Sequence, residues 1–156
     1  DLQEDWSDQR PDLNTESMGV VLRIQALAKI LGEQTAQRLD EYDLQWWQYD
    51  VLSTLRRKGY PYRMAATELA DAVMLTSGAM TNRIDRLEQA GLISRVADVE
   101  DRRRVLVELT RSGLKLIEDA AETRFQSAAE AMACLSDRQK SQLSNLLRTV
   151  LLAQEN

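Results

Sequence analysis

Thr76-Ser77-Gly78-Ala79-Met80-Thr81-Asn82-Arg83-Ile84-Asp85-Arg86-Leu87-Glu88-Gln89-Ala90-Gly91 is the stretch on which the fold turns. Thr76 or Ser77 can cap a helix here and Gly91 can stop it. Met80, Ile84 and Leu87 recur at i, i+4 and i+7 and make one apolar stripe. The other face presents Ala79, Asn82, Arg83 and Arg86 at i, i+3, i+4 and i+7. Its first turn carries the small residues Ser77, Gly78, Ala79 and Thr81, where an ordinary surface helix carries Glu and Lys. Small side chains at that end allow close approach to another surface.

Downstream, Leu92–Val96 alternates roughly as a strand and Val105–Leu109 reads as a second. Residues 97–104 between them hold six charges and are too polar for a core, so the pair forms a β-hairpin with an exposed tip. Upstream, Leu44, Trp47, Val51 and Leu55 mark a helix that closes at Lys58-Gly59. Tyr60-Pro61-Tyr62 connects it to a short helix over Met64–Val73. Further out, Asp12 or Asn14 can cap a helix running to about Glu41, with Met18, Val21, Leu22, Ile24 and Leu27 on a broad apolar face. Trp6 precedes it in a short polar stretch. Thr110 caps a helix to about Cys134, with Leu114, Ile117, Ala121 and Phe125 on one side. A last helix begins at Ser136 and carries Leu143, Leu146, Leu147, Val150 and Leu151.

The predicted class is mainly α with a small β-hairpin wing. Helix, short helix, capped helix with a small-and-basic face, then a hairpin with an Arg-rich tip is the layout of a winged helix-turn-helix. A helix entering the major groove by its first turns needs small residues where backbone meets phosphate, and Asn and Arg where base edges are read. Arginine at a hairpin tip suits the narrow, electronegative minor groove.

Composition agrees. The chain has 156 residues, enough for one domain, and its 6 Gly and 2 Pro leave few breakers. Aromatics are 5%, which disfavours strands. There is no histidine, so no Ser-His-Asp relay and no imidazole metal ligand can be built. The single Cys134 excludes an intramolecular disulfide or a CxxC pair, and is read as a buried structural thiol. An enzyme, a resident metal and a cofactor are therefore not expected. The longest apolar run, Val20–Leu31, is broken by Arg23 and Lys29, so no membrane span is expected. The acidic N-terminus is unlike a signal peptide and does not begin with Met, which implies a trimmed start in a cytoplasmic protein.

The net charge of −5 hides a pattern. Residues 1–17 carry six acids against one Arg, whereas residues 56–104 carry ten bases against seven acids. The one basic stretch coincides with the helix-turn-helix and its wing. A basic run alone is more often a solvated surface.

At Leu75–Glu88, Gly91-Leu92-Ile93, Asp98-Val99-Glu100-Asp101-Arg102-Arg103 and Val107-Glu108-Leu109-Thr110 with Gly113, the chain resembles the MarR family of bacterial transcription regulators. The resemblance covers about residues 18–155; Val99 stands where a proline is usual. It implies one domain over 1–156. Residues 44–111 would form the DNA-binding lobe, and 1–43 and 112–156 mainly the helices of a homodimer on a pseudo-palindromic operator. Double-stranded DNA would be met by Ser77, Ala79, Thr81, Asn82, Arg83, Arg86, Arg102, Arg103 and Arg104.

The block Asp50–Arg57, the Ser77–Glu88 helix and an extra N-terminal segment with a tryptophan look like the urate-responsive branch of that family. That likeness implies a small anionic ligand held by Trp6, Asp50, Arg83 and Arg95. Each has a plainer alternative: Arg83 as a phosphate contact, Arg95 as a salt bridge to Asp98, Asp50 as a surface acid, and Trp6 as a loose terminus or a dimer plug. Trp46 and Trp47 are expected in the core. The function expected is a repressor released by urate or another purine. Release by a phenolic or polycarboxylic acid, or an effector-independent repressor or architectural protein, stays open beside it.

Overall fold

Trp6 lies on a short helix, α1 (Leu2–Gln9), where only a polar stretch was expected. A computed structural model describes residues 2–98 and 104–154. The chain divides into two compact units, one up to Trp46 and one from Trp47 onward. In the first, the Arg10 amide donates to the Trp6 carbonyl at 2.8 Å, and the Ser7 and Thr15 hydroxyls meet at 2.8 Å. Asn14 caps the long α2 (Thr15–Asp40), accepting from the Ser17 amide at 3.0 Å. Beyond α2 the chain turns through Asp43 at φ 52°.

The second unit holds the helix-turn-helix, the wing and the last two helices. In α3 (Trp46–Arg57), Val51, Leu52 and Leu55 are fully buried. Then come β1 (Arg63–Ala65), α4 (Ala66–Ala72) and α5 (Ser77–Gln89). Leu69 of α4 and Met80, Ile84 and Leu87 of α5 are buried, so the stripe that identified α5 is the one that holds it. Thr76 is the cap, accepting from the Ala79 amide at 3.4 Å. Gly91, at φ 70°, ends the helix in a conformation that costs other residues strain. The two strands expected after it are β2 (Ile93–Ala97) and β3 (Val105–Leu109).

One element differs from expectation. Met64 belongs to a strand, not to the start of a helix, and the sheet has three strands in the order β1-β3-β2, all antiparallel. Three residues are too few to show a period of two in sequence. β1 gives the outer edge of β3 its hydrogen-bonding partner. Arg63 faces Glu108 across the pair and donates to its carboxylate at 2.7 Å.

Thr110 caps α6 (Arg111–Ala131), accepting from the Gly113 amide at 3.0 Å. Its hydroxyl donates to the Gly91 carbonyl at 2.7 Å, and Ser112 donates to the same oxygen at 2.8 Å. The start of α6 is thereby fastened to the entrance of the wing. Ile117 and Ala120 are buried, but Phe125, expected on the same side, is 76% exposed. Cys134 is exposed rather than buried. The last helix, α7 (Asp137–Gln154), has no buried residue. Leu143, Leu147 and Val150, expected to be covered in a dimer, face solvent in the single chain, as do Met18, Val21 and Leu27 of α2.

Candidate nucleic-acid interface

Two strips of α5 carry its charge, and the helical rotation separates them. At about 100° per residue, Arg83 and Arg86 point nearly opposite to Asp85 and Glu88. Between them lie Gly78, Asn82 and Gln89, all exposed, and Ser77 and Ala79 of the first turn are exposed as well. Thr81 is exposed too, although its hydroxyl donates back to the Ser77 carbonyl at 2.9 Å and so is partly spent inside the helix. Ser77 sits at a helix N-terminus, where the dipole and free amides favour a phosphate oxygen.

The two arginines share one aromatic ring. The guanidinium carbon of Arg83 lies 5.4 Å from the Trp47 ring centroid and that of Arg86 lies 5.9 Å from it. Trp46 and Trp47 were both expected in the core, but Trp47 is only half-buried and Trp46 is 52% exposed. One turn on from Trp47 along α3 stands Asp50, also half-buried. Burial pushes its carboxyl above the usual carboxylate range, and the nearby positive charges of Arg57 and Arg83 only partly oppose that. No hydrogen bond from the described residues reaches the Asp50 carboxylate. Asp50 and Arg83, two of the four expected ligand residues, are thus brought together electrostatically.

The other two are placed differently. Arg95 of β2 forms ion pairs with Asp85 and Glu88, and its amide donates to Glu88 Oε1 at 3.0 Å. This double pairing, rather than the bridge to Asp98 that was the plainer alternative to a ligand role, ties the wing to the strip of α5 opposite Arg83. Trp6 belongs to the N-terminal unit. There it lines an apolar cleft of about 420 Å³ with Leu13, Met18 and Leu22.

In the wing, Arg102 and Arg103 lie outside the described residues. Arg104 pairs with Glu68 of α4 at 2.8 Å, both side chains being about half exposed. Such a pair is worth at most about 1 kcal/mol, so a phosphate can replace the carboxylate at little cost. Sequence reasoning missed the Trp47 platform, because nothing local says that a ring on α3 will stand beside arginines of α5. Among the described residues no cluster of His, Cys, Asp and Glu is placed to hold a metal, and no helix is long and apolar enough to cross a membrane.

A helix-turn-helix whose second helix leaves a basic strip open, together with a three-stranded sheet, defines a winged helix-turn-helix DNA-binding protein. The profile of the MarR family matches residues 44–105, from the start of α3 to the start of β3. The HTH-type transcriptional regulator PecS of Dickeya dadantii (strain 3937) is 32% identical over 150 residues, covering 96% of this chain and 90% of its own. AbsC of Streptomyces coelicolor, a MarR family transcriptional regulator, superposes with a TM-score of 0.80 at 23% identity, over 92% of this chain and 96% of its own. The S. aureus MepR–DNA complex does so with a TM-score of 0.74 at 24% identity, over 85% and 96%. These last two likenesses concern the fold. The chain belongs to the MarR family and is a winged helix-turn-helix transcription regulator.

Proposed function

We propose that the protein is a ligand-responsive repressor. Its homodimer binds a pseudo-palindromic operator and lets go when a small anion, urate or another purine, binds. The carrying observation is the half-buried Asp50 carboxyl of α3, which no hydrogen bond from the described residues reaches and which feels the positive charge of Arg83. A planar anion with exchangeable ring protons suits that place. The carboxylate accepts a ring N–H, and Arg83 neutralises the charge through charge-assisted hydrogen bonds. Arg95 joins by leaving Asp85 and Glu88. Trp6, as a flat apolar wall, belongs to the proposal on the strength of the resemblance alone.

Ser77, Ala79, Thr81, Asn82, Arg83 and Arg86 meet the major groove in this reading, and Arg102, Arg103 and Arg104 the backbone or minor groove beside it. Two recognition helices of a dimer then fall about 34 Å apart, one turn of DNA. Because Arg83 serves both ligand and the DNA-facing helix, an anion that redirects it favours one lobe arrangement over the other. The unpartnered apolar faces of α2 and α7 support the dimer.

The test begins with a thermal-shift screen of purines, phenolic acids and polycarboxylic acids. Any compound that raises the melting temperature is then titrated against a duplex selected by the protein from a random pool. A coupling of about 1–3 kcal/mol weakens DNA binding about 5–150-fold. Asp50→Asn and Arg95→Ala should each blunt that release while ligand-free binding stays within about twofold. Asp50→Asn also removes a carboxyl whose folded pKa is raised, and which therefore costs stability once it ionises. The variant should melt above wild type at pH 7, and the gain should vanish below about pH 4, where both states are protonated. Wild-type release by both variants sinks the effector site. No response to any compound favours the effector-independent repressor.

A further inference from the structure

We propose that Trp47 is a positioning residue for DNA recognition: its indole face holds the guanidiniums of Arg83 and Arg86 so that α5 presents them already ordered. The inference rests on α5 being the helix that meets DNA. Both guanidiniums lie within 6 Å of one ring centroid, 5.4 Å for Arg83 and 5.9 Å for Arg86, which is the range in which the ring quadrupole attracts a cation. They are three residues apart on α5, one turn, so a single ring can serve both. Trp47 is half-buried on α3, whose Val51, Leu52 and Leu55 are fully buried, so the ring is carried by a rigid helix.

The chemistry gives the ring a specific task. A free arginine has several rotatable bonds, and ordering it on a base or phosphate costs conformational entropy. A cation held over the ring meets part of that cost before DNA arrives, and a contact through the ring's π face takes up none of the acceptors that base edges and phosphates offer. Arg86 is exposed beside Asn82 and Arg83 is half-buried next to Asp50. One ring therefore orders an arginine facing DNA and another at the carboxylate, and couples the two without a direct bond between them.

The probe is a duplex enriched by the wild-type protein from a random pool, with unselected duplex as the non-specific control. Trp47→Met and Trp47→Leu should bind the selected duplex roughly 5–30-fold more weakly, as the ordering of two arginine side chains left to the binding step implies, and unselected duplex within about twofold of wild type. Trp47→Phe, which keeps a π face, should recover most of the loss, a recovery that a merely space-filling role would not give. Met or Leu variants that bind the selected duplex as tightly as wild type, or a Phe variant that loses as much as they do, overturn the proposal.

A second measurement reads the contact itself. In nitrogen–proton spectra, the Nε–H signals of Arg83 and Arg86 should move downfield from wild type to Trp47→Met as the ring current is lost, whereas that of Arg56, which lies 5.0 Å from the Tyr62 ring centroid, should stay in place. Unshifted signals overturn the stacking itself. Wild-type protein that enriches no sequence overturns this role together with the reading of α5, whereas enrichment unaffected by Trp47→Met overturns the role alone.

Discussion

Gly113→Ala should destabilise the chain by about 3 kcal/mol or more, a large effect for the addition of one methyl group. A Cβ at this position would lie 1.9 Å from the Leu92 carbonyl oxygen and 2.8 Å from its carbon. Both are backbone atoms, so no rotamer change relieves the clash. Nor can the carbonyl retreat freely: it accepts from the Thr110 amide at 3.1 Å, and its neighbour Gly91 accepts from both Thr110 and Ser112. The start of α6 and the entrance to β2 must separate, and the wing loses its anchor. For a chain of this length the expected fall in melting temperature is roughly 6–12 °C. Gly78→Ala is the control, since a Cβ there meets nothing within 4 Å. It should melt within a few degrees of wild type. A Gly113→Ala protein that melts like wild type contradicts the packing described for α6.

Removing residues 136–156 should abolish well-behaved protein altogether. No residue of α7 is fully buried within its own chain, although Leu143, Leu146, Leu147, Val150 and Leu151 lie along it. An amphipathic helix whose apolar side stays largely in water gains little from folding, so that side needs a partner. Covering what these five side chains still expose contributes on the order of 4–8 kcal/mol, comparable with the whole stability of a domain. A second copy of the chain supplies such a surface with matching symmetry. The truncated protein should therefore aggregate or lack cooperative unfolding, as read by light scattering and circular dichroism. A monodisperse, cooperatively melting monomer would contradict the dimer.

How much of this was legible in sequence depended on how local the signal was. The α5 boundaries were readable because capping threonine, terminating glycine and apolar stripe all lie within one stretch of chain. The caps at Asn14 and Thr110 were readable for the same reason. β1 was not, because three residues give no periodicity and its existence depends on β3, more than forty residues away in sequence. Phe125 was placed inward by helical spacing, which says which residues share a face but not whether the chain itself covers it, and Cys134 was read as buried only because a lone thiol outside any motif usually is. The candidate site divides along the same line. Asp50 and Arg83 were selected by resemblance, and their proximity is seen only in the fold. The pairing of Arg95 with Asp85 and Glu88 was missed in favour of the nearer Asp98. Long-range partners of a charged side chain are set by tertiary register, which no local pattern encodes.

The central claim is that α5 reads DNA through its exposed face. The most direct measurement compares wild type, Asn82→Ala and Arg86→Ala on the selected duplex and on versions of it changed one base pair at a time, at two salt concentrations. Asn82→Ala should relax discrimination at one position per half-site by about 1–3 kcal/mol, with the salt dependence retained. Arg86→Ala should either relax a second position or flatten the salt dependence by about one unit, according to whether it meets a base or a phosphate. If both variants bind every duplex as the wild-type protein does, α5 is not the reading helix and the account fails.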